Sequence, residues 1–310
     1  MVKLGLLFPG QGAQSVGMGK EWVQNFEKAR HVYEEADRIL GMSISQICFE
    51  GPEEKLTRTL YAQPAIYTTS FALFSILEEK LGGLKPDFSA GLSLGEFTAL
   101  SAAGSFSFSE GLKLVQKRAG LMEKAAEKNR GAMVSILGLN QNQCESIAKE
   151  SGAQLANLNA PDQFVLSGTE DAVERAATLA EEGDAKKVIR LKVGGAFHSA
   201  LMEEAKQGLL NALKGTSIQA PGCIFVPNVT ARPEGNPEKI RALLGDQLTS
   251  SVRWIETMEC AREQGIRRFI EIGPGRVLKG LAKRIDPSLE VFSFDKVSDL
   301  ETIESFLQKA

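Results

Sequence analysis

Histidine and cysteine are scarce in this chain, and their scarcity excludes several kinds of site. The 310 residues include two histidines, His31 and His198. The four cysteines stand far apart and form no CxxC pair; they are Cys48, Cys144, Cys223 and Cys260. A zinc site or a disulfide framework would need closer spacing or more histidines. We therefore expect free thiols in a reducing compartment and no metal site.

Long apolar runs and an excess of basic residues are also missing. No apolar stretch approaches the roughly 20 residues that a membrane-spanning helix needs. The N-terminal run "LGLLF" breaks at Pro9, too early for a secretion signal. The formal net charge of −3 argues against nucleic acid or an anionic membrane as the main partner. We expect a soluble, cytoplasmic protein.

The order of predicted strands and helices indicates an α/β fold with an insertion. The strand-like segments "LGLLF" and "DFSAGL" alternate with helical segments near 20–40, 64–81, 95–104 and 109–128, which favours a mostly parallel sheet with helices on its faces. Residues 131–193 follow the order βαββαβ, typical of a ferredoxin-like unit, with Asn140 as a helix N-cap. The α/β pattern then resumes. We predict a large domain over 1–128 and 197–310, and an inserted subdomain over 129–196.

Residues 91–95 read "GLSLG" and lie between a predicted strand and a predicted helix. A sharp strand-to-helix turn projects one side chain and needs small neighbours, which Gly91 and Gly95 supply. Ser93 would stand at the carboxyl end of the strand, and the N–H of Leu94 could stabilise an oxyanion. An ordinary N-cap serine in a glycine-rich turn would explain the same pattern.

A nucleophilic serine needs a base, and the two histidines leave little choice. His198 lies in "GGAFHSALM", at the predicted seam between the two domains. His31 lies inside a predicted helix and is most simply a solvated or packing residue. A capping or packing role for His198 stays open. Because no acidic residue between Ser93 and His198 follows a strand of the main sheet, we expect a dyad or a histidine oriented by an amide or carbonyl oxygen.

Arg118 points into the apolar stripe of its predicted helix. The stripe consists of Leu112, Val115, Ala119 and Met122. A buried guanidinium needs an anionic partner. That partner could be a carboxylate of the protein or the carboxylate of a substrate.

Several segments together resemble the acyltransferases that move malonyl groups from coenzyme A to acyl carrier protein. They are "FPGQGAQSVGMG", "QPAI", "GLSLGEFTAL", Arg118, "GAFHSALM", "NVTA" and "EIGPGRVLKGL", and they span essentially the whole chain. The resemblance implies an α/β-hydrolase-like large domain with a ferredoxin-like insertion. It also implies malonyl-CoA and a holo acyl carrier protein as partners. No cofactor is implied, because the coenzyme A thioester is a substrate.

The same resemblance assigns roles in the reaction. Ser93 is similar to the nucleophile of the family, and His198 is similar to its base. The backbone N–H groups of Gln11 and Leu94 correspond to the oxyanion hole. The implied reaction is ping-pong, with a malonyl-serine intermediate.

Other residues correspond to positions that hold the substrate or the base. Arg118 is similar to the residue that clamps the malonyl carboxylate, and Gln63 and Gln247 to polar residues lining the site. The main-chain carbonyl of Gln247 would orient the histidine. Phe197 is like the signature of malonyl-type members, although ordinary packing would also explain it.

An acidic carrier, as the resemblance implies, should dock on a basic face near the cleft. Two clusters are candidates, and either could be a solvated face: Lys186, Lys187, Arg190 and Lys192 near His198, and Arg276, Lys279, Lys283 and Arg284. A thioesterase or esterase would share the GxSxG pattern, and a non-catalytic carrier-binding module is a further alternative. Neither explains Arg118 and "GAFH" together.

Overall fold

The computed structural model describes residues 3–308, and a five-stranded parallel sheet forms its centre. The strand order is β7-β2-β1-β8-β9, and every neighbouring pair is parallel. β1 and β2 are apolar and buried, as expected of strands covered on both faces. The parallel α/β sheet predicted from the sequence is therefore confirmed. Its strands are β1 Leu4–Phe8, β2 Phe88–Gly91, β7 Ile224–Phe225, β8 Arg268–Ile272 and β9 Glu290–Phe294.

A second, four-stranded sheet is antiparallel and has the order β4-β5-β3-β6. This order and the βαββαβ succession are those of a ferredoxin-like unit, which confirms the predicted insertion of that type. Asn140 and Thr169 cap its two helices by accepting hydrogen bonds from backbone N–H groups. The domain boundaries at 128/129 and 196/197 stay a prediction. The strands are β3 Ala132–Leu137, β4 Gln154–Ala160, β5 Gln163–Gly168 and β6 Lys187–Arg190.

The helices cover the faces of the two sheets, and α5 packs along α7 beside the parallel sheet. No helix among residues 3–308 is long and apolar enough to cross a membrane. In chain order the helices are α1 Lys20–Asn25, α2 Glu27–Leu40, α3 Ile44–Glu50, α4 Glu53–Thr57, α5 Thr59–Lys80, α6 Gly95–Ala102, α7 Phe108–Lys128, α8 Gln141–Ser151, α9 Glu170–Glu182, α10 Glu203–Leu213, α11 Pro237–Asp246, α12 Trp254–Glu263, α13 Val277–Ile285 and α14 Leu300–Gln308.

Three elements differ from the sequence prediction. The helix expected over 20–40 breaks at Phe26, whose backbone is extended with φ −131°. The helix expected from Pro64 begins at Thr59, so the proline lies inside the helix and costs one backbone hydrogen bond there. The strand expected over "CIFVPNVT" shortens to Ile224–Phe225, and beyond it Asn228 accepts a hydrogen bond from the Ser93 N–H. His31 lies on the exposed face of α2, within 3.6 Å of Glu27, as a solvated helix residue should.

Candidate active site

The chain turns sharply between β2 and α6, and Ser93 lies at the apex of this turn. Its backbone is left-handed, with φ 53°, a conformation that costs energy for any residue but glycine. A Cβ on Gly91 would lie 2.0 Å from the backbone of Gly95, and a Cβ on Gly95 would lie 2.0 Å from the carbonyl oxygen of Phe8. Only glycines allow the helix to start this close to the strands, and this close packing lifts the serine out of the sheet.

The loop after β1 approaches the same turn. A Cβ on Gly10 would lie 2.4 Å from the carbonyl oxygen of Leu92, so this glycine lets the two loops touch. Gln11 follows directly, and its side chain donates a hydrogen bond to Thr59 Oγ1 at 3.2 Å. Within the described part of the chain, neither the Gln11 N–H nor the Leu94 N–H has a hydrogen-bond acceptor. Both amides are therefore free to donate to a ligand oxygen.

Ser93 and His198 meet across the cleft. Ser93 Oγ lies 2.8 Å from His198 Nε2, and His198 Nδ1 lies 2.8 Å from the main-chain oxygen of Gln247. A carbonyl oxygen can only accept, so Nδ1 carries the proton and Nε2 is free to accept the serine proton. Burial, together with the nearby Arg118 cation, lowers the pKa of His198 to about 4. The imidazole is therefore neutral at physiological pH, as a proton acceptor must be.

Arg118 lies on α7 with no exposed surface, and its guanidinium reaches the serine. Nη2 donates to Ser93 Oγ at 3.0 Å and to Gln247 Oε1 at 2.8 Å, while Nη1 donates to Gln63 Oε1 at 2.6 Å. Its Nε has no partner, and no carboxylate among residues 3–308 forms a salt bridge with it. Burial lowers the pKa of Arg118 to about 10, which still leaves it charged at neutral pH. A buried cation without a direct counter-ion is suited to holding an anionic group.

Two residues of this site were not identified from the sequence, Glu96 and Asn228. Asn228 Oδ1 accepts the Ser93 N–H at 2.7 Å, and its Nδ2 donates to the Gly91 carbonyl oxygen at 2.7 Å. Glu96 is fully buried on α6 and accepts hydrogen bonds from Asn228 N and Gln247 Nε2. Both residues lie within segments that resemble the acyltransferase family: Asn228 in "NVTA" and Glu96 in "GLSLGEFTAL". A carboxylate in an otherwise apolar helix was the available signal.

A cavity of about 390 Å³ contains the serine and lies between the two sheets. Phe197 lines this cavity, whereas Leu94 and Gln247 are fully buried and do not line it. A second, outer cavity of about 630 Å³ shares Thr57, Lys192 and Phe197 with the inner one. The inner cavity is lined by Gln11, Gln63, Ser93, Arg118, Met122, Met133, Asn157, Lys192, Phe197 and His198, among others.

Each of the two basic clusters has one arginine that is held in ion pairs. Arg190 forms ion pairs with Glu170 and Glu174, and Arg284 pairs with Asp162. Lys192 is exposed at the cavity mouth and has no ion pair within residues 3–308. Lys192 is therefore the free cation closest to the serine cleft among the members of the two clusters.

No group of three or more potential metal ligands within residues 3–308 could hold a metal ion.

The comparisons with known proteins agree with this geometry. Residues 6–288 match the family model described as an acyl transferase domain, so the class is that of acyltransferase enzymes. The chain is 42% identical over 313 residues to the malonyl CoA-acyl carrier protein transacylase of Bacillus subtilis, covering 99% of this chain and 97% of the relative. The chain belongs to the malonyl CoA-acyl carrier protein transacylase family.

Solved structures give the same result. The malonyl CoA-acyl carrier protein transacylase of Coxiella burnetii superposes with a TM-score of 0.95 at 36% identity, covering 99% of this chain and 98% of that one. A malonyl-transacylase solved in complex with a holo acyl carrier protein of type II polyketide synthesis superposes with a TM-score of 0.94 at 37% identity, covering 97% and 98%. The predicted fold, with its parallel sheet and ferredoxin-like insertion, is that of the family.

Proposed function

We propose that this protein transfers the malonyl group of malonyl-CoA to the phosphopantetheine thiol of a holo acyl carrier protein, through a malonyl ester on Ser93. One observation carries the proposal: Ser93 Oγ lies 2.8 Å from His198 Nε2 and 3.0 Å from Arg118 Nη2. The hydroxyl therefore lies beside both a neutral base and a buried cation. An acyl group attached to this oxygen would hold a terminal carboxylate close to the guanidinium.

In the first half-reaction, Ser93 Oγ attacks the thioester carbon and its proton passes to His198 Nε2. The N–H groups of Gln11 and Leu94 donate to the resulting oxyanion. By analogy with measured cases, each such donor contributes about 2.7–4 kcal/mol. The carbon–sulfur bond then breaks, and the imidazolium returns its proton to the departing thiolate of coenzyme A.

In the second half-reaction, the carrier thiol takes the place of coenzyme A. His198 accepts the thiol proton, the sulfur attacks the malonyl ester, and the proton returns to Ser93 Oγ as the ester bond breaks. Both thiols end the same phosphopantetheine arm, which the outer cavity of about 630 Å³ can admit. No cofactor is assigned, because coenzyme A takes part only as the carrier of the substrate.

Arg118 selects the acyl group in this proposal. Its two Nη atoms are bonded only to neutral oxygens, of Gln63, Gln247 and Ser93. A malonyl carboxylate supplies a negative charge in direct contact with the guanidinium, whereas an acetyl group supplies none. Phe197 closes the cavity beside the acyl chain.

We place the reaction in fatty-acid synthesis and in the cytoplasm. The match to the Bacillus subtilis relative without a polyketide designation covers 99% of this chain at 42% identity, against 92% at 39% for the polyketide transacylase of that organism, which favours the fatty-acid pathway. The four cysteines are free, and three are buried, which suits a reducing compartment.

The test uses purified protein, malonyl-CoA labelled in the malonyl group, and a holo acyl carrier protein. We expect the label on Ser93 when the carrier is withheld, and its transfer to the carrier thiol when the carrier is added. Ser93→Ala should form no adduct, and the exposed Ser217→Ala should behave as the wild type. Release of free malonate as fast as transfer would instead indicate a thioesterase. Transfer that persists in Ser93→Ala would refute the assigned nucleophile.

A further inference from the structure

The carboxyl group of Glu96 lies directly behind the reacting groups and has no role in the steps above. It belongs to the first turn of α6 and has no exposed surface. Oε2 accepts hydrogen bonds from Asn228 N at 3.0 Å and from Gln247 Nε2 at 2.7 Å. Oε1 has no partner within the described residues. A buried carboxyl group is costly, so this arrangement requires an explanation.

The contact with Glu96 determines how the amide of Gln247 is oriented. Glu96 Oε2 accepts a hydrogen bond from the Asn228 N–H and a second one from Gln247, so the amide nitrogen of Gln247 faces it. The nitrogen also donates to the Ser93 carbonyl oxygen at 3.0 Å. The amide oxygen is consequently turned toward Arg118 Nη2, 2.8 Å away. If the amide were flipped, its nitrogen would face the guanidinium, which has no acceptor.

Glu96 Oε2 also fixes Asn228, the residue that supports the strained backbone of Ser93. The backbone N–H of Asn228 is fixed by Glu96, and its side chain binds both sides of the turn, at Ser93 N and at the Gly91 carbonyl oxygen. A residue with φ 53° keeps that conformation only when its surroundings impose it. Asn228 imposes it here, and Glu96 holds Asn228 in place.

We propose that Glu96 is a positioning residue of the transfer reaction: its Oε2 fixes the Gln247 amide and the Asn228 backbone, and through them aims Arg118 at the acyl carboxylate and holds Ser93 in its strained turn. The inference rests on the proposed function for the role of Arg118. Its effect on Ser93 does not depend on which acyl group is transferred.

Two conservative variants separate position from charge. Glu96→Gln removes the charge but keeps the side-chain length and an oxygen where Oε2 stands. Glu96→Asp keeps the charge but withdraws the carboxyl group by one methylene, beyond hydrogen-bond reach of its two donors. If the position of Oε2 matters, Glu96→Gln should acylate Ser93 nearly as the wild type does, and Glu96→Asp should be impaired. If charge matters, the order should be reversed.

The first measurement is the rate of Ser93 acylation by malonyl-CoA and by acetyl-CoA, followed by intact-protein mass spectrometry. Each rate is divided by the amplitude of acylation, which corrects for the fraction of active protein. We expect Glu96→Asp to lose roughly ten-fold or more of the malonyl-to-acetyl ratio, the size expected for a misdirected charged hydrogen bond. Glu96→Gln should stay within about three-fold of the wild type. Equal losses for both substrates in Glu96→Asp would refute the part of the proposal in which Glu96 aims Arg118, and a larger loss in Glu96→Gln than in Glu96→Asp would overturn the whole proposal.

The second measurement is independent of malonyl transfer. A fluorophosphonate labels the activated serine directly, and we expect it to react more slowly with Glu96→Asp than with Glu96→Gln and the wild type. This order would support the role of Glu96 even if the wild type formed no malonyl ester, an outcome that would refute only the proposed function. Identical labelling and identical substrate ratios in all three proteins would overturn the proposal.

A matched control tests whether shortening any buried carboxylate has the same effect. Glu271 is also fully buried and caps α13 by accepting the N–H groups of Leu278 and Lys279. It makes no hydrogen bond to the residues around Ser93. Glu271→Asp should lower the melting temperature and leave both the malonyl-to-acetyl ratio and the labelling rate unchanged. A loss of the ratio equal to that in Glu96→Asp would show that the effect is general destabilisation.

Discussion

Ser93 and His198 share an uncommon backbone conformation: both are left-handed, with φ 53° and 58°, and their side chains meet at 2.8 Å between Oγ and Nε2. Residues other than glycine rarely adopt this conformation, which costs on the order of 1–3 kcal/mol. Here it occurs at both partners of one hydrogen bond. Bringing these two side chains together therefore lowers the stability of the fold, and such strained backbone conformations are common at active sites.

The pH dependence should reveal the environment of the histidine. Burial and Arg118 lower the pKa of His198 to about 4, so the base stays neutral in mildly acidic solution. We expect kcat/KM for malonyl-CoA to change little between about pH 7.5 and pH 5. A base with the ordinary pKa near 6.5 would lose about thirty-fold over that range.

Glu96→Gln provides the control for that profile, because the pKa of Glu96 is raised to about 7 by burial. The variant should show the same flat profile, which assigns any acidic limb to His198. A ten-fold loss near pH 5.5 in both proteins would contradict the lowered histidine pKa.

The planar fork of Arg118 should matter as much as its charge. Arg118→Lys keeps a cation, but its single nitrogen cannot occupy both Nη positions, from which Arg118 donates to Gln63, Gln247 and Ser93. We expect kcat/KM for malonyl-CoA to fall roughly 30-fold or more and that for acetyl-CoA to change far less. The exposed neighbour Lys117→Ala is the control and should match the wild type. Equal losses on both substrates would indicate that Arg118 acts only in packing.

The glycines of the serine turn should tolerate no side chain. A Cβ at Gly95 would lie 2.0 Å from the Phe8 carbonyl oxygen, so Gly95→Ala must displace α6 from β1. We expect a lower melting temperature and loss of the malonyl ester. The matched control is Gly120→Ala on α7, where the nearest atom lies 3.9 Å from the added carbon. That change should stabilise the protein by up to about 1 kcal/mol, and an equally damaging effect there would contradict the steric argument.

Carrier recognition should depend on Lys192 more than on the second basic cluster. Lys192 lies at the cavity mouth, whereas Arg284 is held by Asp162. We expect Lys192→Ala to slow transfer to an acidic carrier and to flatten its dependence on salt, with acylation by malonyl-CoA less affected. Arg284→Ala should leave the salt dependence unchanged. The reverse result would place the docking face at the second cluster.

Local chemistry made much of this molecule predictable. The βαββαβ order, the cap at Asn140 and the strand–GxSxG–helix passage depend on neighbouring residues, and each stands where the sequence predicted it. The pair Ser93 and His198 could be named because only two histidines compete for the role of base.

What escaped prediction depends on distant contacts. Asn228 lies 135 residues from Ser93, and nothing in "NVTA" indicates that its side chain binds the serine turn. The helix begins at Thr59 rather than Pro64 because tertiary packing outweighs the loss of one backbone hydrogen bond. Glu96 looks like an ordinary first-turn acid until its complete burial is known.

Two buried titratable groups, Glu96 and His198, should change the free energy of unfolding in opposite directions as the pH rises. The pKa of Glu96 is raised to about 7, so the folded state holds an extra proton between about pH 4.5 and 7, and stability falls as pH rises through that window. The pKa of His198 is lowered to about 4, so the unfolded state holds the extra proton below about pH 6.5, and stability rises with pH. In the wild type these two trends oppose each other.

Glu96→Gln removes the first trend and leaves the second. We expect the free energy of unfolding of the variant, relative to wild type, to increase between about pH 5 and 7.5 by on the order of 2 kcal/mol. Denaturant titrations at both pH values measure this difference, with the exposed Glu145→Gln as a control for the background charge effect. A buried amide hydrogen without an acceptor would lower the stability of the variant equally at both pH values, so it cannot imitate the trend. Parallel curves for the variant and the wild type would mean that Glu96 ionises in the folded protein as it does in the unfolded chain, and that its burial is compensated by its neighbours.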